Sequence, residues 1–301
     1  MTKAKQILQD FTAEVVNSMI NNNDNWQKMF GDQSNSKNAL TGKNYRGFNW
    51  LVLSFETQEK KFKHNIWATY KQWLSLDAQV KKGSKGTGIV YYQPALFRKP
   101  KENEKPNTKD GSVKVQSNIM RASTVFNLDQ VELSNKSTFK VPQLNSGKQY
   151  SINHIDKFID GVDVEIINED NNNCYYNETK DIINMASKET FKDTRDADAT
   201  EHYYATFFHE LTHATKHAKR LNRKAKFEND AHKSYAFEEL VAELGAIMFT
   251  RHFGIAKTIR ENHAQYLNSW IKALKNDYTF LTGAVAKANQ MNKMNLAKYN
   301  F

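Results

Sequence analysis

A His-Glu-Leu-Thr-His run at residues 209–213 constrains this chain of 301 residues more than any other feature of its sequence. If the run is helical, His209 and His213 project from the same helix face because they lie four residues apart. Two imidazoles at this spacing can bind one metal ion, and Glu210 between them then lies near the water on that ion. The run therefore predicts a helix that presents a metal site to a second element of the fold.

Acidic residues on a second predicted helix complete this candidate site. A catalytic zinc site has three protein ligands and leaves a further position for water. Glu239 is the predicted third ligand, and Glu243, one turn later, is the predicted acceptor of a hydrogen bond from a ligand imidazole. Glu238 is expected to face away from the metal. His217 does not fit the spacing of a further histidine ligand, and we expect it at the surface or beside a ligand.

The candidate site supports a hydrolytic interpretation and two others. In the hydrolytic one, Zn²⁺, or another divalent cation such as Mn²⁺, activates a water molecule and Glu210 accepts the proton as general base. Tyr204 and Tyr235 are both candidates for supporting a developing oxyanion. Alternatively, the histidines are core residues of an amphipathic helix, although the paired glutamates argue against this. In a third interpretation, the metal site is real, but its role is structural or its peptidase activity is vestigial.

Basic and aromatic residues interleave in the first part of the chain. The net charge of +10 suits an anionic partner such as nucleic acid, or it reflects a composition rich in Lys and Asn. Single-stranded nucleic acid is bound by cations on phosphates and by aromatic rings under bases. Candidates for such contacts are Lys43, Tyr45, Arg46, Trp50, Trp67, Tyr70, Lys81, Lys82 and Lys85. Aromatic residues at this spacing also fit a hydrophobic core, so both interpretations remain open.

Hydrophobic periodicity predicts an α+β fold in two parts. The first is a basic N-terminal domain over residues 1–130, with helices over 4–20 and 67–76, strands over 89–97 and 122–128, and an exposed hairpin loop over 98–118. A polar linker is predicted over 131–149. The second is a mainly helical domain over 150–301, with helices over 151–159, 200–222, 232–252 and 258–296 and strands over 162–167 and 174–176.

The remaining composition points to a reducing compartment. The single Cys174 excludes an intramolecular disulfide. No N-terminal segment resembles a signal peptide, and no apolar run approaches the roughly 18 residues that span a bilayer. We therefore expect a protein that works in the cytoplasm of its host cell, without a membrane partner.

Ordered motifs along almost the whole chain carry a family resemblance. In the first part they lie at 41–49, 67–72, 80–83 and 125–128. In the second part they lie at 203–206, 209–213, 220–223 and 235–246, and at Tyr266, Ser269, Trp270, Leu274 and Asp277. This order resembles that of the ArdC-type antirestriction proteins of plasmids and phages. The first part is similar to their N-terminal domain that binds single-stranded DNA, and the second to their zincin-like metallopeptidase domain.

The resemblance implies single-stranded DNA binding, a divalent metal in the second domain, and protection of incoming DNA from host restriction. It leaves open a proteolytic step against a host protein. One alternative is a cytoplasmic zinc metallopeptidase that acts on a host or regulatory protein independently of DNA. Another is a binding module in which the metal only braces the fold.

Overall fold

The computed structural model describes residues 1–22, 35–93, 96–108, 110–116, 119–143, 151–170, 173–194, 197–224, 226–255 and 264–298. Their architecture is α+β, as predicted from the sequence. The helices are α1 (Lys3–Asn22), α2 (Gly47–Glu59), α3 (Tyr70–Ser75), α4 (Ile152–Asp160), α5 (Ala199–Ala214), α6 (Ala231–Phe253), α7 (Ala264–Asn276) and α8 (Thr279–Lys298). The strands are β1 (Lys37–Asn38), β2 (Ile66–Ala68), β3 (Ala78–Val80), β4 (Thr87–Gln93), β5 (Leu96–Arg98), β6 (Val113–Gln116), β7 (Ile119–Asn127), β8 (Val131–Leu133), β9 (Glu165–Ile167), β10 (Tyr175–Asn177) and β11 (Ile182–Asn184).

The first part is built on a four-stranded sheet in the order β1-β2-β7-β4, in which only β1 and β2 pair in parallel. The helix predicted over 67–76 begins only at Tyr70. Its first predicted residues instead belong to β2, whose three side chains are all buried and which pairs with β7. A buried apolar run of this kind favours a strand over an exposed helix end. Thr69 then starts α3 through a capping box with Gln72.

The region predicted as a linker begins with paired structure. Residues 131–133 form β8, which pairs antiparallel with β3, so the predicted linker is wrong at its start. Val131 is buried in the cluster that contains Trp73, and Phe139 packs against the same cluster. Apolar side chains in a polar stretch thus keep this segment on the first part of the molecule. Residues 144–150 lie outside the described part of the chain.

In the second part a three-stranded sheet, in the order β10-β11-β9, lies against α5. The short β11 was not predicted from the sequence. The helix predicted over 200–222 ends at Ala214, where Thr215 Oγ1 donates a hydrogen bond back to the Thr212 carbonyl at 2.6 Å. The start of the helix predicted over 258–296, residues 258–263, lies outside the described residues, and the described remainder is two helices, α7 and α8. They are separated at Asp277, whose carboxylate accepts the Thr279 backbone N–H.

The two predicted parts share one hydrophobic core. Helices α1 and α2 from the first part pack with α6, α7 and α8 from the second, and Phe11, Trp50, Leu51, Leu240, Trp270 and Leu281 are among the buried residues of this cluster. Contacts across the same boundary include the Gly47 N–H, which donates to Asn289 Oδ1 at 3.3 Å, and the Arg251 guanidinium, 5.3 Å from the centre of the Trp50 ring. The division into domains remains a prediction, but the helices of both parts are packed together.

The close approach of α5 and α6 depends on a glycine. A β-carbon at Gly245 would lie 2.5 Å from Thr212 Oγ1 and 2.6 Å from Met291 Cε, far below ordinary contact distance. Glycine at this position therefore lets the two helices pack closely. The consequence is functional, because α5 carries the histidines of the candidate site and α6 carries its glutamates. No helix among the described residues is long and apolar enough to cross a membrane.

Candidate functional site

The predicted metal ligands converge between α5 and α6. The Nε2 atoms of His209 and His213 are 3.0 Å apart. The two oxygens of the Glu239 carboxylate lie 3.5 Å from them, Oε2 from His209 Nε2 and Oε1 from His213 Nε2. Ligand atoms at about 2.0–2.2 Å from a tetrahedral ion are roughly 3.3–3.6 Å from one another. The three side chains therefore fit a single divalent ion in donor chemistry, and the distances from Glu239 to each imidazole match this range, whereas the two imidazole nitrogens are slightly closer together. All three are largely buried, as a specific metal site requires.

Glu243 lies beside His209, one of the imidazoles for which the sequence predicted a carboxylate acceptor. Its Oε1 lies 2.8 Å from Nδ1 of His209, on the opposite side of the imidazole from Glu239. A carboxylate that accepts the Nδ1 proton leaves Nε2 unprotonated and oriented for metal binding. The geometry thus supports Glu239 as the ligand and Glu243 as the residue that orients His209.

Glu238 does not face away from the site, so this expectation was wrong. Its Oε1 lies 3.6 Å from Nδ1 of His213, and Arg223 forms an ion pair with the same oxygen. Arg223 is itself buried and donates to the Thr212 carbonyl at 3.1 Å and to Thr215 Oγ1. In each of the two histidines, Nε2 therefore faces Glu239 and Nδ1 faces a second carboxylate, which is Glu243 for His209 and Glu238 for His213.

Charge interactions keep these carboxyl groups ionised. Burial by itself would raise the pKa of Glu239, but the neighbouring imidazoles of His209 and His213 lower that pKa below its ordinary value. The pKa of Glu238 is also lowered, because His213 and Arg223 outweigh the effect of burial. An ionised carboxylate is the form that binds a metal or accepts an imidazole proton. Both residues are therefore in the protonation state that their positions require.

Glu210 accepts a hydrogen bond from β10, the edge strand of the three-stranded sheet. Its Oε2 accepts the backbone N–H of Tyr176 in β10 at 3.0 Å, and its side chain is buried at the wall of the cleft that contains the metal cluster. One oxygen of the carboxylate is thus fixed by the strand. This contact was not predicted from the sequence, since nothing local in the 209–213 run indicates which strand lies against it.

A cleft of about 660 Å³ opens onto the cluster. Tyr235 lies in its wall, is 56% exposed, and has its hydroxyl 2.9 Å from that of Tyr266. Burial of its ring, the hydrogen bond with Tyr266 and the charge of Glu239 all raise the pKa of Tyr235, so it remains a hydroxyl donor. Tyr204, in contrast, is fully buried and donates to Asp156 Oδ1 at 2.7 Å. Of these two candidates, only Tyr235 lines the cleft.

His217 lies beyond the end of α5, with its Nδ1 3.4 Å from Asp181 Oδ2. Asp181 also accepts hydrogen bonds from Arg220 and from the Tyr176 hydroxyl, the latter at 2.9 Å. Because Tyr176 is the residue whose backbone holds Glu210, this cluster anchors β10 against the turn after α5. His217 is thus one of the residues that anchor β10. It is not part of the candidate ligand group formed by His209, His213 and Glu239.

Two of the aromatic candidates for DNA stacking are core residues. Trp50 is 4% exposed and packs in the core shared by α1, α2 and the C-terminal helices, while Trp67 is 0% exposed and packs with Leu53 and Val125. A base cannot stack on a ring that protein atoms cover on both faces. The prediction that these two tryptophans contact DNA is therefore wrong, and the competing core interpretation holds for them.

The other seven candidates lie on or near the surface around α3. Lys43, Arg46, Lys81, Lys82 and Lys85 are exposed, Tyr45 is half-buried and Tyr70 is 43% exposed. Asn38 Nδ2 donates both to the Tyr45 hydroxyl at 3.0 Å and to Gln72 of α3 at 3.1 Å. Gln79 Nε2 donates to the Tyr70 hydroxyl at 3.1 Å and lies two residues before Lys81. Through Asn38, these hydrogen bonds link Tyr45 to α3, and through Gln79 they link Tyr70 of α3 to the strand before Lys81. The segment with Lys43 and Arg46 and the segment with Lys81, Lys82 and Lys85 thus both lie next to α3.

Comparison with known proteins agrees with this arrangement in both parts of the chain. Residues 5–126 match a family model described as the N-terminal domain of the anti-restriction factor ArdC, and residues 153–287 match one described as a zincin-like metallopeptidase. Crystal structures of the antirestriction protein ArdC from plasmid R388 are similar at 28% sequence identity. The metal-free structure gives a TM-score of 0.76 over 97% of each chain. The Mn(II)-bound structure gives 0.72 over 99% of this chain and 98% of the other.

Curated relatives extend the comparison. An uncharacterized protein, y4eC, from Sinorhizobium fredii (strain NBRC 101917 / NGR234) is 30% identical over 84% of this chain and 78% of its own length. Two proteins of Escherichia coli named DNA primase TraC are 29% and 28% identical over 86% of this chain. The chain spans only 24% and 17% of their lengths, so the name primase describes those larger proteins.

The fold and the site define a zincin-like metallopeptidase domain joined to an ArdC-type N-terminal domain. Both family models and the R388 structures support the same assignment over nearly the whole chain. The chain belongs to the ArdC family of antirestriction proteins.

Proposed function

We propose that this protein binds single-stranded DNA as that DNA enters a cell on a mobile element, protects it from host restriction, and carries a zinc-dependent peptidase site. The observation that carries the proposal is the convergence of His209, His213 and Glu239 beside Glu210 in an open cleft of an ArdC-family chain. The proposal for DNA is supported by the exposed cations around α3 and by the net charge of +10.

His209, His213 and Glu239 are the residues that would hold the ion. When bound, Zn²⁺ would polarise a peptide carbonyl and acidify a water molecule. The Glu210 carboxylate accepts the proton of the attacking water and returns it to the leaving nitrogen. The Tyr235 hydroxyl faces the cleft as a donor for the developing oxyanion. The β10 backbone keeps the Glu210 carboxylate in place through its 3.0 Å hydrogen bond.

A zinc peptidase that acts on a host or regulatory protein independently of DNA is the second candidate. The specific observation in its favour is the cleft of about 660 Å³, whose wall includes residues of the edge strand β10 together with Tyr235 and Tyr266. The two candidates differ in what they require of the first part of the chain, and DNA binding separates them.

The test combines DNA binding with plasmid protection. We expect an electrophoretic shift with single-stranded oligonucleotides that is tighter than with duplex DNA and weakens as salt rises, because lysines on phosphates release counterions. Changing Lys81 and Lys82 together to alanine should flatten the salt dependence by roughly 1–2 units of log K per log salt. The same variant should lose protection of a plasmid transferred into a restricting host.

The matched control changes Lys157 and Lys287 to alanine, because these two exposed lysines lie on α4 and α8, which carry none of the candidate DNA contacts. This variant should retain both the affinity for DNA and its salt dependence. If the wild-type protein shows no salt-sensitive preference for single strands, the DNA proposal fails and the DNA-independent peptidase becomes the better candidate.

Glu238 gives a test of the metal site that does not depend on the substrate. We expect Glu238→Gln to weaken Zn²⁺ binding by about 10-fold, because it weakens the hold of a carboxylate on His213. Competition with a zinc-binding dye measures this affinity. Glu228→Gln, a neutralised carboxylate in the wall of the same cleft, should bind Zn²⁺ like the wild type. Equal affinity for both variants and the wild type would show that Glu238 does not orient His213.

A further inference from the structure

A long β-hairpin in the first part takes no role in the function proposed so far. Its base is the antiparallel pair of β4 and β7, which is in register from Thr87–Val125 to Gln93–Ile119. The same two chain segments continue as β5 and β6, which also pair antiparallel. The sequence predicted an exposed loop over 98–118. The described part of this region contains paired strands and a structured tip.

Local side chains hold the tip in place. Arg98 donates to both oxygens of Glu104, at 2.5 and 2.8 Å, and the Lys101 backbone N–H donates to the same carboxylate at 3.0 Å. Asp110 accepts hydrogen bonds from Thr108 Oγ1 at 2.6 Å and from Ser112 Oγ at 2.8 Å. Two of the hairpin's acidic groups are therefore engaged within the hairpin itself.

The hairpin is more basic than the rest of the chain. Between Phe97 and Arg121 the sequence has seven Lys or Arg residues and three acidic residues, which gives a net charge of +4 out of +10 for all 301 residues. Lys99, Lys101, Lys105 and Arg121 are exposed. Positive charge of this density attracts an anionic polymer over a distance of about 8–10 Å at ordinary ionic strength.

Exposed aromatic rings accompany these cations. Phe97 is 53% exposed in β5, directly before Arg98 and Lys99, and Tyr91 is 49% exposed in β4. Tyr91 is the register partner of Arg121 in β7, so both side chains leave the same face of the strand pair. Phe97 is the sixth residue after Tyr91, which limits the spacing of their Cα atoms to about 20 Å. A strand of several nucleotides can contact both rings.

We propose that this hairpin surface, formed by Tyr91, Phe97, Lys99, Lys101, Lys105 and Arg121, binds single-stranded DNA. Bases stack on the two rings while the four cations contact phosphates. The proposal rests on the proposed function and adds a second contact region to the surface around α3. Single strands fit better than duplex DNA because only unpaired bases offer their faces. A protein partner fits less well, because lysine is depleted from protein–protein interfaces.

The experiment uses the full chain and a fluorescent oligothymidine of about 20 nucleotides. We expect Phe97→Ala and Tyr91→Ala each to weaken binding by about 5-fold or more without changing the salt dependence, because the rings carry no charge. Phe97→Trp and Tyr91→Phe keep an aromatic face and should bind like the wild type. Changing Lys99, Lys101 and Lys105 together to alanine should instead reduce the salt slope by roughly 2.

The outcomes separate this inference from the function on which it rests. If the wild-type protein does not bind the oligothymidine, the proposed DNA function fails, and the hairpin proposal fails with it. If the wild type binds and the two alanine variants bind equally well, only the hairpin proposal is overturned. An equal loss of duplex and single-strand binding in Phe97→Ala would also overturn it, since stacking requires unpaired bases. Because both rings are exposed, circular dichroism should show all variants folded.

Discussion

Replacing His213 with alanine is expected to abolish tight Zn²⁺ binding, with a loss greater than the roughly 100-fold upper range for residues that only orient a ligand. His213 supplies one of three converging donor atoms, with its Nε2 3.0 Å from that of His209 and 3.5 Å from a Glu239 oxygen. Without His213, two protein donors remain, and two donors are too few to define a tetrahedral metal site. Isothermal titration of the metal-free protein with Zn²⁺ measures the effect.

A matched histidine makes this experiment specific. His217 lies four residues further along, beside Asp181, and is not part of the metal cluster. We expect His217→Ala to bind Zn²⁺ with unchanged affinity and stoichiometry. Wild-type affinity in His213→Ala would contradict the metal site. A loss in both variants would instead indicate that the turn after α5, and not a particular donor atom, limits binding.

Glu210→Gln is expected to remove hydrolysis and leave the metal in place. The amide keeps the shape of the side chain and can still accept the Tyr176 N–H, but it cannot accept a proton from water. General-base catalysis contributes about 10²- to 10⁴-fold, so the turnover of a fluorescently labelled unfolded protein by the zinc-loaded enzyme should fall by that factor. Zinc affinity, measured in parallel, should stay within about 10-fold of the wild type.

Glu178→Gln is the control for this variant, because Glu178 is also a carboxylate of the cleft but pairs with Lys216 at 2.9 Å. It should retain turnover. If Glu210→Gln turns over the labelled protein as fast as the wild type, the general-base role is wrong. If turnover is lost but plasmid protection is complete, hydrolysis is separate from the antirestriction function, and DNA binding becomes its main basis.

The local sequence pattern was sufficient to predict which side chains converge as candidate metal donors. His209 and His213 lie on one helix face by spacing alone, and Glu239 and Glu243 follow the same rule on α6, so their convergence needed only that two helices meet. Glu238 shows where this reasoning stops. Helical spacing suggested that it points away, yet the buried Arg223, from the segment between the two helices, brings it within 3.6 Å of His213. The Arg223 position belonged to a motif of the family resemblance, but the sequence carried no signal of its contact.

Aromatic residues were harder to assign, because a ring that stacks on a base and a ring that fills a core occur in the same sequence patterns. Trp50 and Trp67 proved to be core residues, whereas the exposed Tyr91 and Phe97 were not singled out from the sequence. The difference is one of solvent exposure, and exposure depends on which elements pack over a strand. Several short strands, among them β1, β3, β8 and β11, were missed for a related reason, since pairing with a distant partner outweighs a weak local preference.

The sequence by itself was enough to predict the fold class, the candidate metal donors and the family, because each depends on residue types at short, fixed spacings. The tertiary structure alone decided that the two parts share a core, that Glu238 lies beside His213, that the Tyr176 N–H of β10 contacts Glu210, and which aromatic rings face solvent. These features join residues far apart in the chain. Their free energy comes from burial and from hydrogen bonds that exist only once the helices and strands have packed.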